Sequence, residues 1–277
     1  MRIVDSQVHL WAADTPDRPW PPGRAAQAQK PYPVTKEALL LQMDLAGVSR
    51  VVIVPPSWEG DRNELALEAA RLYPDRFAVM GRIALEKPES RALVPGWKKQ
   101  PGMLGIRLTF HPPQWHWLTD GSVDWFWPLA EEYQLPVMFY GAPMAHFARV
   151  AERHPQLTMI ADHLGVSTEM AKEGKTAEGV KETALLAKYP NVSVKLSTTP
   201  FYSSESYPFR DMTGHIRLLF DAFGPRRSYW GTDLTNSYHK ATYRQRITHF
   251  IETLDFLSQE DKEWVMGRAI LDRLGWK

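Results

Sequence analysis

The sequence contains no cysteine, which excludes disulfides, zinc sites built on thiolates and a cysteine nucleophile. No apolar run approaches the roughly 20 residues that a membrane-spanning helix requires, and no charged and apolar leader of the secretory type precedes the first strand-like pattern. The 33 basic and 32 acidic residues nearly cancel and are well mixed, so no nucleic-acid-binding surface is indicated. We therefore expect a cytoplasmic protein with a small-molecule substrate and with neither nucleic acid nor membrane as a partner.

What the sequence does contain is an alternation of short apolar runs and longer amphipathic segments along all 277 residues. The apolar runs are rich in Val, Ile and Leu, which is typical of parallel strands covered by helices. They predict strands at 2–10, 50–56, 77–85, 103–110, 136–141, 157–163, 192–197 and 228–233. Helical patterns occupy 34–47, 62–73, 123–133, 144–154, 177–189, 214–224, 243–254 and 258–275. Eight such units in a chain of this length predict an α/β fold, a single (β/α)8 TIM-barrel domain over residues 1–277.

A doubly wound open sheet is the alternative for this alternation. Its nucleotide-binding form requires a glycine-rich first turn, whereas the first turn here reads HLWAADTPDRPWPPG and has no G-x-G-x-x-G spacing. An open sheet also needs no eighth strand. The sequence therefore favours the barrel, with the long loop 11–33 after the first strand folded over its mouth.

Polar side chains stand at or near the carboxyl ends of most predicted strands, where a barrel carries its functional site. In chain order they are Gln7, His9, Trp58, Arg82, Arg107, Tyr140, Asp162, His163, Lys195 and Asp233. Burying ionisable groups without partners is costly, so we expect them to converge on a ligand. The strongest candidates are His9, His163 and Asp233, which share a level in three different strands.

Structural roles are open to several of these residues. A buried histidine is commonly a hydrogen-bonded core residue, and Arg82 could pair with a carboxylate inside the barrel. In the same way, Lys195 could neutralise Asp5 or Asp233. Asp162 is more typical of a structural acid than of a catalytic one.

Five short motifs run through the chain in a fixed order. They are VDSQVHLW at 4–11, GIRL at 105–108, ADHLG at 161–165, VKLS at 194–197 and GTD at 231–233. With these motifs in this order, the chain resembles the amidohydrolase-related (amidohydrolase 2) family of the amidohydrolase superfamily. The segment VMGRAILDRLGW at 265–276 resembles that family's last helix. It is most similar to the branch that holds 2-pyrone-4,6-dicarboxylate lactonase and sugar lactonases. The resemblance implies a hydrolase that opens a lactone or a related carboxylic ester or amide.

The resemblance also bears on metal binding. In that superfamily the first strand ends in His-x-His and both imidazoles can bind a divalent metal, whereas here the first position is Gln7, a poorer ligand for zinc. The fifth strand, around 138–140, offers no Lys or His, so a binuclear site is not expected. One divalent ion such as zinc on His9, His163 and Asp233 stays open. Because related lactonases include members that work without metal, we favour the absence of any cofactor.

The resemblance implies a concrete metal-free mechanism. Asp233 acts as general base on a water, and His9, His163 and Gln7 hydrogen-bond the reacting carbonyl. Arg107 binds a substrate carboxylate or polarises the carbonyl, since a guanidinium fork suits a carboxylate. The remaining candidates for holding a small, anionic substrate are Arg82, Tyr140, Lys195, Trp58, Trp20 and Trp115.

Two other functions stay open at this point. The first is a nonoxidative decarboxylase of an aromatic acid on the same barrel, although such enzymes generally rely on a metal and a fuller histidine set than Gln7 allows. The second is a non-catalytic binding subunit, which the joint presence of His9, His163 and Asp233 disfavours. A homodimer is the default expectation for oligomeric state.

Overall fold

The computed structural model describes residues 1–30 and 33–277, so positions 31 and 32 of the predicted 11–33 loop lie outside the described residues. One sheet of parallel strands follows the order of the chain. The strands are β1 Val4–Val8, β2 Arg50–Ile53, β3 Phe77–Gly81, β4 Met103–Thr109, β5 Val137–Tyr140, β6 Met159–Ala161, β7 Val192–Ser197 and β8 Ser228–Gly231. The sheet curves back on itself, because the N–H of Asp233 after β8 donates to the carbonyl of Gln7 in β1 at 2.9 Å. The predicted (β/α)8 barrel is confirmed.

Helices follow the strands as predicted, with additional short ones on the loops. The described α-helices are α1 Lys36–Ala46, α2 Glu64–Leu72, α3 Ser90–Leu93, α4 Phe126–Glu132, α5 Met144–Arg153, α6 Thr168–Lys172, α7 Thr176–Ala184, α8 Thr199–Tyr202, α9 Thr213–Phe223, α10 Tyr243–Thr248, α11 Gln259–Glu263 and α12 Ala269–Leu274. Thr35 caps α1 by accepting from the N–H of Ala38, and Gly47, at φ 77°, ends it. Within residues 1–30 and 33–277, none of the helices combines the length and the hydrophobicity needed to cross a bilayer.

The predicted helix 258–275 is interrupted by a π-helical turn at Trp264–Arg268. Gly267 explains the interruption, because a Cβ there would lie 2.4 Å from the carbonyl oxygen of Arg2. The glycine lets the last part of the chain pass directly against the residues before β1. The turn thus allows the C-terminal segment to pack closely against the chain before β1.

Several strands are shorter than predicted at their carboxyl ends. β6 ends at Ala161, and His163–Gly165 forms a tight 3₁₀ turn. Arg82 follows β3, and Asp233 follows β8. The chain leaves the sheet just before each of these residues, so their side chains stand at the mouth of the barrel.

Apolar side chains hold the strands from both faces. The larger cluster packs the outer face against the helices and includes Val51, Val137 and Phe147. Alternate residues such as Val52 and Met138 belong to a second cluster with the C-terminal helix. Because neighbours along a strand point to opposite faces, this second cluster fills the inner face below the mouth.

Candidate active site

A cavity of about 370 Å³ opens at the carboxyl ends of the strands. Its lining includes six of the predicted site residues, namely His9, Trp58, Arg107, Tyr140, His163 and Asp233. The described part of the loop after β1 contributes Ala26, Gln27 and Gln29. Residues that the sequence reasoning did not select also line it, among them Thr109, Thr168, Glu169, Lys172, Thr198, Tyr202 and Asn236.

The centre of the cavity is a contact between His9 and Asp233. Nδ1 of His9 donates to the carbonyl of Val54 at 2.6 Å, which turns Nε2 toward Asp233. Nε2 lies 3.2 Å from Oδ1 of the carboxylate. Burial opposes ionisation of Asp233, but the hydrogen bond from His9 and the proximity of His163 hold its pKa well below the usual range. The carboxylate is therefore ionised at any ordinary working pH.

His163 approaches the same carboxylate through a threonine. Its Nδ1 lies 2.9 Å from the hydroxyl of Ser197 and 2.5 Å from that of Thr198. The Thr198 hydroxyl in turn lies 3.4 Å from Oδ2 of Asp233. Burial lowers the pKa of His163 to about 4, so the imidazole is neutral at working pH. Thr198 carries no sequence signal beyond its place just after β7.

Backbone strain is concentrated at these residues. Six non-glycine residues of the described chain have positive φ, and four of them are His163 at 55°, Leu164 at 59°, Thr198 at 66° and Asp233 at 45°. Each such conformation costs on the order of 1–3 kcal/mol and persists only where the surroundings enforce it. The fold thus holds the loops after β6, β7 and β8 in conformations that aim side chains into the cavity.

Gln7 and Lys195 lie behind the cavity wall in a chain of buried polar contacts. Nζ of Lys195 donates to Oε1 of Gln7 at 2.7 Å and lies 3.0 Å from Oδ1 of Asp162. Oδ2 of Asp162 lies 3.2 Å from Nε of Arg107. Burial opposes ionisation of Asp162, but Lys195 and Arg107 hold its pKa below the usual range. Lys195 therefore forms its ion pair with Asp162. Asp5 and Asp233, the acids considered from the sequence, form no ion pair with it, although the charge of Asp5 helps to stabilise the ammonium.

Two guanidinium groups meet beside the cavity. Nη1 of Arg82 and Nη1 of Arg107 both donate to the hydroxyl of Thr109, at 3.2 and 2.5 Å. Burial and the charge of Arg107 lower the pKa of Arg82 to about 9. No carboxylate of the described residues forms an ion pair with Arg82, and its buried Nε finds no partner among them. Arg82, Arg107, Arg24 and His111 line a side pocket of about 60 Å³ that adjoins the main cavity.

The aromatic candidates divide into two groups. Trp58 lines the cavity edge-on to His9, with ring centroids 5.6 Å apart. Tyr140 also lines it, and its hydroxyl accepts from the N–H of Thr168 at 2.7 Å, which ties the start of α6 to β5. The prediction that Trp20 and Trp115 line the pocket is corrected. Neither tryptophan lines the cavity. The indole N–H of Trp20 donates to the Ala12 carbonyl, and that of Trp115 donates to the carbonyls of Phe110 and Gly141.

The side chains of the cavity offer few donors for a divalent metal. No group of three or more His, Asp or Glu side chains in residues 1–30 and 33–277 is arranged to hold a metal ion. The close pair of His9 and Asp233 offers two donors, fewer than the three protein ligands of catalytic zinc sites. Gln7 adds none, since Lys195 occupies its amide oxygen. The described residues thus do not fit a three-ligand site.

The chain is similar in sequence to known proteins. A family model described as Amidohydrolase matches residues 4–271. The L-fucono-1,5-lactonase of Burkholderia ambifaria is 24% identical over 239 residues, which cover 83% of this chain and 79% of that protein.

Solved structures share the fold over the whole chain. An amidohydrolase from Burkholderia multivorans with bound zinc matches with a TM-score of 0.82 at 19% identity, and 99% of each chain is covered. A protein from Pseudomonas putida described as a candidate 2-pyrone-4,6-dicarboxylic acid hydrolase has a TM-score of 0.78 at 20% identity. That match covers 100% of this chain and 98% of the other. At such identities the likeness establishes the barrel and not the reaction.

Proposed function

We propose that the chain hydrolyses the ester bond of a small anionic lactone. The chain belongs to the amidohydrolase family, since the family model covers residues 4–271. The observation that carries the proposal is the ionised carboxylate of Asp233 in the cavity, in contact with His9 and linked to His163. The similarity to an L-fucono-1,5-lactonase supports the lactone class. The balanced charge and the absence of cysteine support a cytoplasmic location and argue against a nucleic acid partner.

In this mechanism Asp233 takes a proton from a water molecule, whose oxygen attacks the lactone carbonyl. The ester bond to the ring oxygen then breaks, and the proton passes from Asp233 to that leaving oxygen. His163 is neutral. We assign its ring proton to Nε2, which donates to the oxyanion, while Nδ1 accepts from a neighbouring hydroxyl, that of Ser197 or Thr198. His9 holds the carboxylate of Asp233 in place.

The anionic part of the substrate is assigned to the two guanidinium groups. Arg107 is held at Nε by Asp162 and at Nη1 by Thr109, and we assign its Nη2 to the substrate carboxylate. Arg82 is a buried cation whose Nε has no hydrogen-bond partner and which forms no ion pair among the described residues, with Asp61 lining the same side pocket. A substrate carboxylate would satisfy both by charge-assisted hydrogen bonds. Gln7 and Lys195 then act indirectly, because they anchor the Asp162 that orients Arg107.

We propose that the reaction proceeds without a metal. The support is the donor set: His9 and Asp233 offer two ligands, and Lys195 occupies the amide oxygen of Gln7. Catalytic zinc sites use three protein ligands. Metal analysis of the purified protein tests this, and one tightly held equivalent that a chelator removes together with activity would contradict it.

The activity is tested with a panel of lactones with and without a carboxylate, by following acid release. Asp233→Asn should lower kcat by about 10²–10⁴. Asp120→Asn, at an exposed aspartate, is the matched control and should leave kcat unchanged. Residual turnover above about a tenth would remove Asp233 as the base. Release of carbon dioxide from aromatic acids would identify a decarboxylase, and saturable binding without any turnover would identify a binding protein.

A further inference from the structure

Two charged side chains beneath the cavity hold the segment that carries Asp233. Asp5 is fully buried in β1. Its carboxylate accepts from the N–H of Thr232 at 2.8 Å, from the hydroxyl of Thr232 at 2.5 Å and from the hydroxyl of Tyr243 at 2.7 Å. It also accepts from the N–H of Gln7 at 3.0 Å. The residue before Asp233 is thus fastened to the first strand.

Arg246 in α10 holds the other side of the same segment. Its guanidinium donates to the carbonyl of Thr232 at 3.2 Å, to that of Leu234 at 3.3 Å and to that of Ser237 at 2.8 Å. It also donates to the Ser237 hydroxyl at 3.1 Å. No carboxylate of the described chain forms an ion pair with it, so these carbonyl dipoles stabilise its buried charge together with the more distant charges of Asp233 and Asp5.

The two sets of contacts enclose a strained residue. Asp233 has φ 45°, a left-handed conformation that a non-glycine residue adopts at a cost. Asp5 binds the amide and the hydroxyl of Thr232, and Arg246 binds the carbonyls on both sides of Asp233. We infer that Arg246 and Asp5 act as positioning residues, which keep Asp233 in this conformation with its carboxylate against His9.

The inference rests on the proposed function, because it requires Asp233 at the reacting centre. Neither Arg246 nor Asp5 lines the cavity, so neither is expected to contact the substrate. A misplacement of a reacting group by about 1 Å can lower a rate about 100-fold. Loss of either contact should therefore reduce kcat and leave KM nearly unchanged.

Arg246→Lys tests the inference with Arg227→Lys as a matched control. Arg227 also binds carbonyls with its guanidinium, those of Ala187, Tyr189 and Val192 at 2.9–3.1 Å, but it lies before β8 and away from the cavity. Lysine keeps the charge and removes the fork in both variants. Both should lose thermal stability, but only Arg246→Lys should lower kcat, by about 10- to 100-fold, with KM within about twofold of wild type.

A second pair of variants decides the matter if Arg246→Lys does not fold. Thr232→Val removes the hydroxyl that donates to Asp5, and Thr232→Ser keeps it. Valine should reduce kcat and serine should restore it. Wild-type kcat in both Arg246→Lys and Thr232→Val would overturn the inference. So would a kcat loss in Arg227→Lys as large as that in Arg246→Lys.

A crystal structure of Arg246→Lys separates this inference from the proposed function. The carboxylate of Asp233 should move away from Nε2 of His9, from which it lies 3.2 Å in the wild type. If the wild-type protein turns over no lactone but the carboxylate moves, the proposed function fails and the positioning role stands. If the carboxylate stays in place, the positioning role fails whatever the substrate.

Discussion

Arg82 is expected to weaken the fold while it strengthens substrate binding, and Arg82→Met separates the two effects. Burial and the charge of Arg107 lower the pKa of Arg82 from 12.5 to about 9. At about 1.4 kcal/mol for each pKa unit, the charged guanidinium costs about 5 kcal/mol of folding free energy. The sign follows from linkage: the folded pKa is depressed, so the penalty is fully present below pH 9 and vanishes as pH rises toward 12.5. An apolar replacement should recover about 1–4 kcal/mol.

The assay compares unfolding and kinetics in the same variants. Arg82→Met should raise the urea midpoint, whereas Arg227→Met should lower it. The guanidinium of Arg227 donates to three carbonyls, and its replacement removes that donor. For a carboxylate-bearing lactone KM should rise about 10- to 100-fold in Arg82→Met, the loss expected for charge-assisted hydrogen bonds. Neutral lactones should be unaffected. A lower midpoint, or an unchanged KM for the anionic lactone, would refute the reasoning.

Three further predictions concern the buried polar groups. Lys195→Met leaves Asp162 short of a cation and should reduce the free energy of unfolding in urea by about 3–5 kcal/mol, while Lys181→Met, at an exposed lysine, should change it by less than about 0.5 kcal/mol. A loss for Lys195→Met no larger than the control would contradict this. Gln7→His should not create a tight zinc site by itself, because the Lys195 ammonium faces position 7, whereas Gln7→His combined with Lys195→Met should bind zinc in equilibrium dialysis. A full equivalent of zinc in the single variant would count against it. Burial lowers the pKa of His249 to about 4, so the unfolded chain binds the proton more tightly and stability should fall as pH drops from about 6.5 toward 4. The urea midpoints at pH 7 and pH 5 should differ less in His249→Leu than in the wild type or in His116→Leu, the control at an exposed histidine. The same midpoint difference in all three proteins would disprove the effect.

The barrel was predictable because its signal is repeated along the chain. Runs such as VVI in β2 and VMFY in β5 are apolar on both faces, which is typical of a covered parallel strand. The ends of the strands were less predictable. The strand predicted at 157–163 includes Asp162 and His163, but β6 ends at Ala161 and the chain turns at His163–Gly165, which places His163 at the mouth. Hydrophobic periodicity does not encode such a turn.

Part of the site was predictable for a geometric reason. Parallel strands bring their carboxyl ends to one edge, so His9, His163 and Asp233 were expected to be neighbours. Their partners carried no comparable signal. Thr198 is one threonine in a row of small polar residues, and Arg246 lies in a helical pattern where an exposed arginine would be ordinary. Thr198 and Arg246 have their roles through contacts with residues far away in the sequence, which local patterns do not reveal.

The closure of the barrel also determines when the protein can work. The Asp5 side chain binds Thr232, 227 positions along the chain, and His9 meets Asp233 just beyond. During synthesis the amino-terminal part emerges first, so the first strand remains without its final neighbour until β8 and the following residues have left the ribosome. An incomplete chain would therefore be inactive, and not a slower or less selective enzyme. Appearance of turnover in a translation time course would mark the arrival of the last strand.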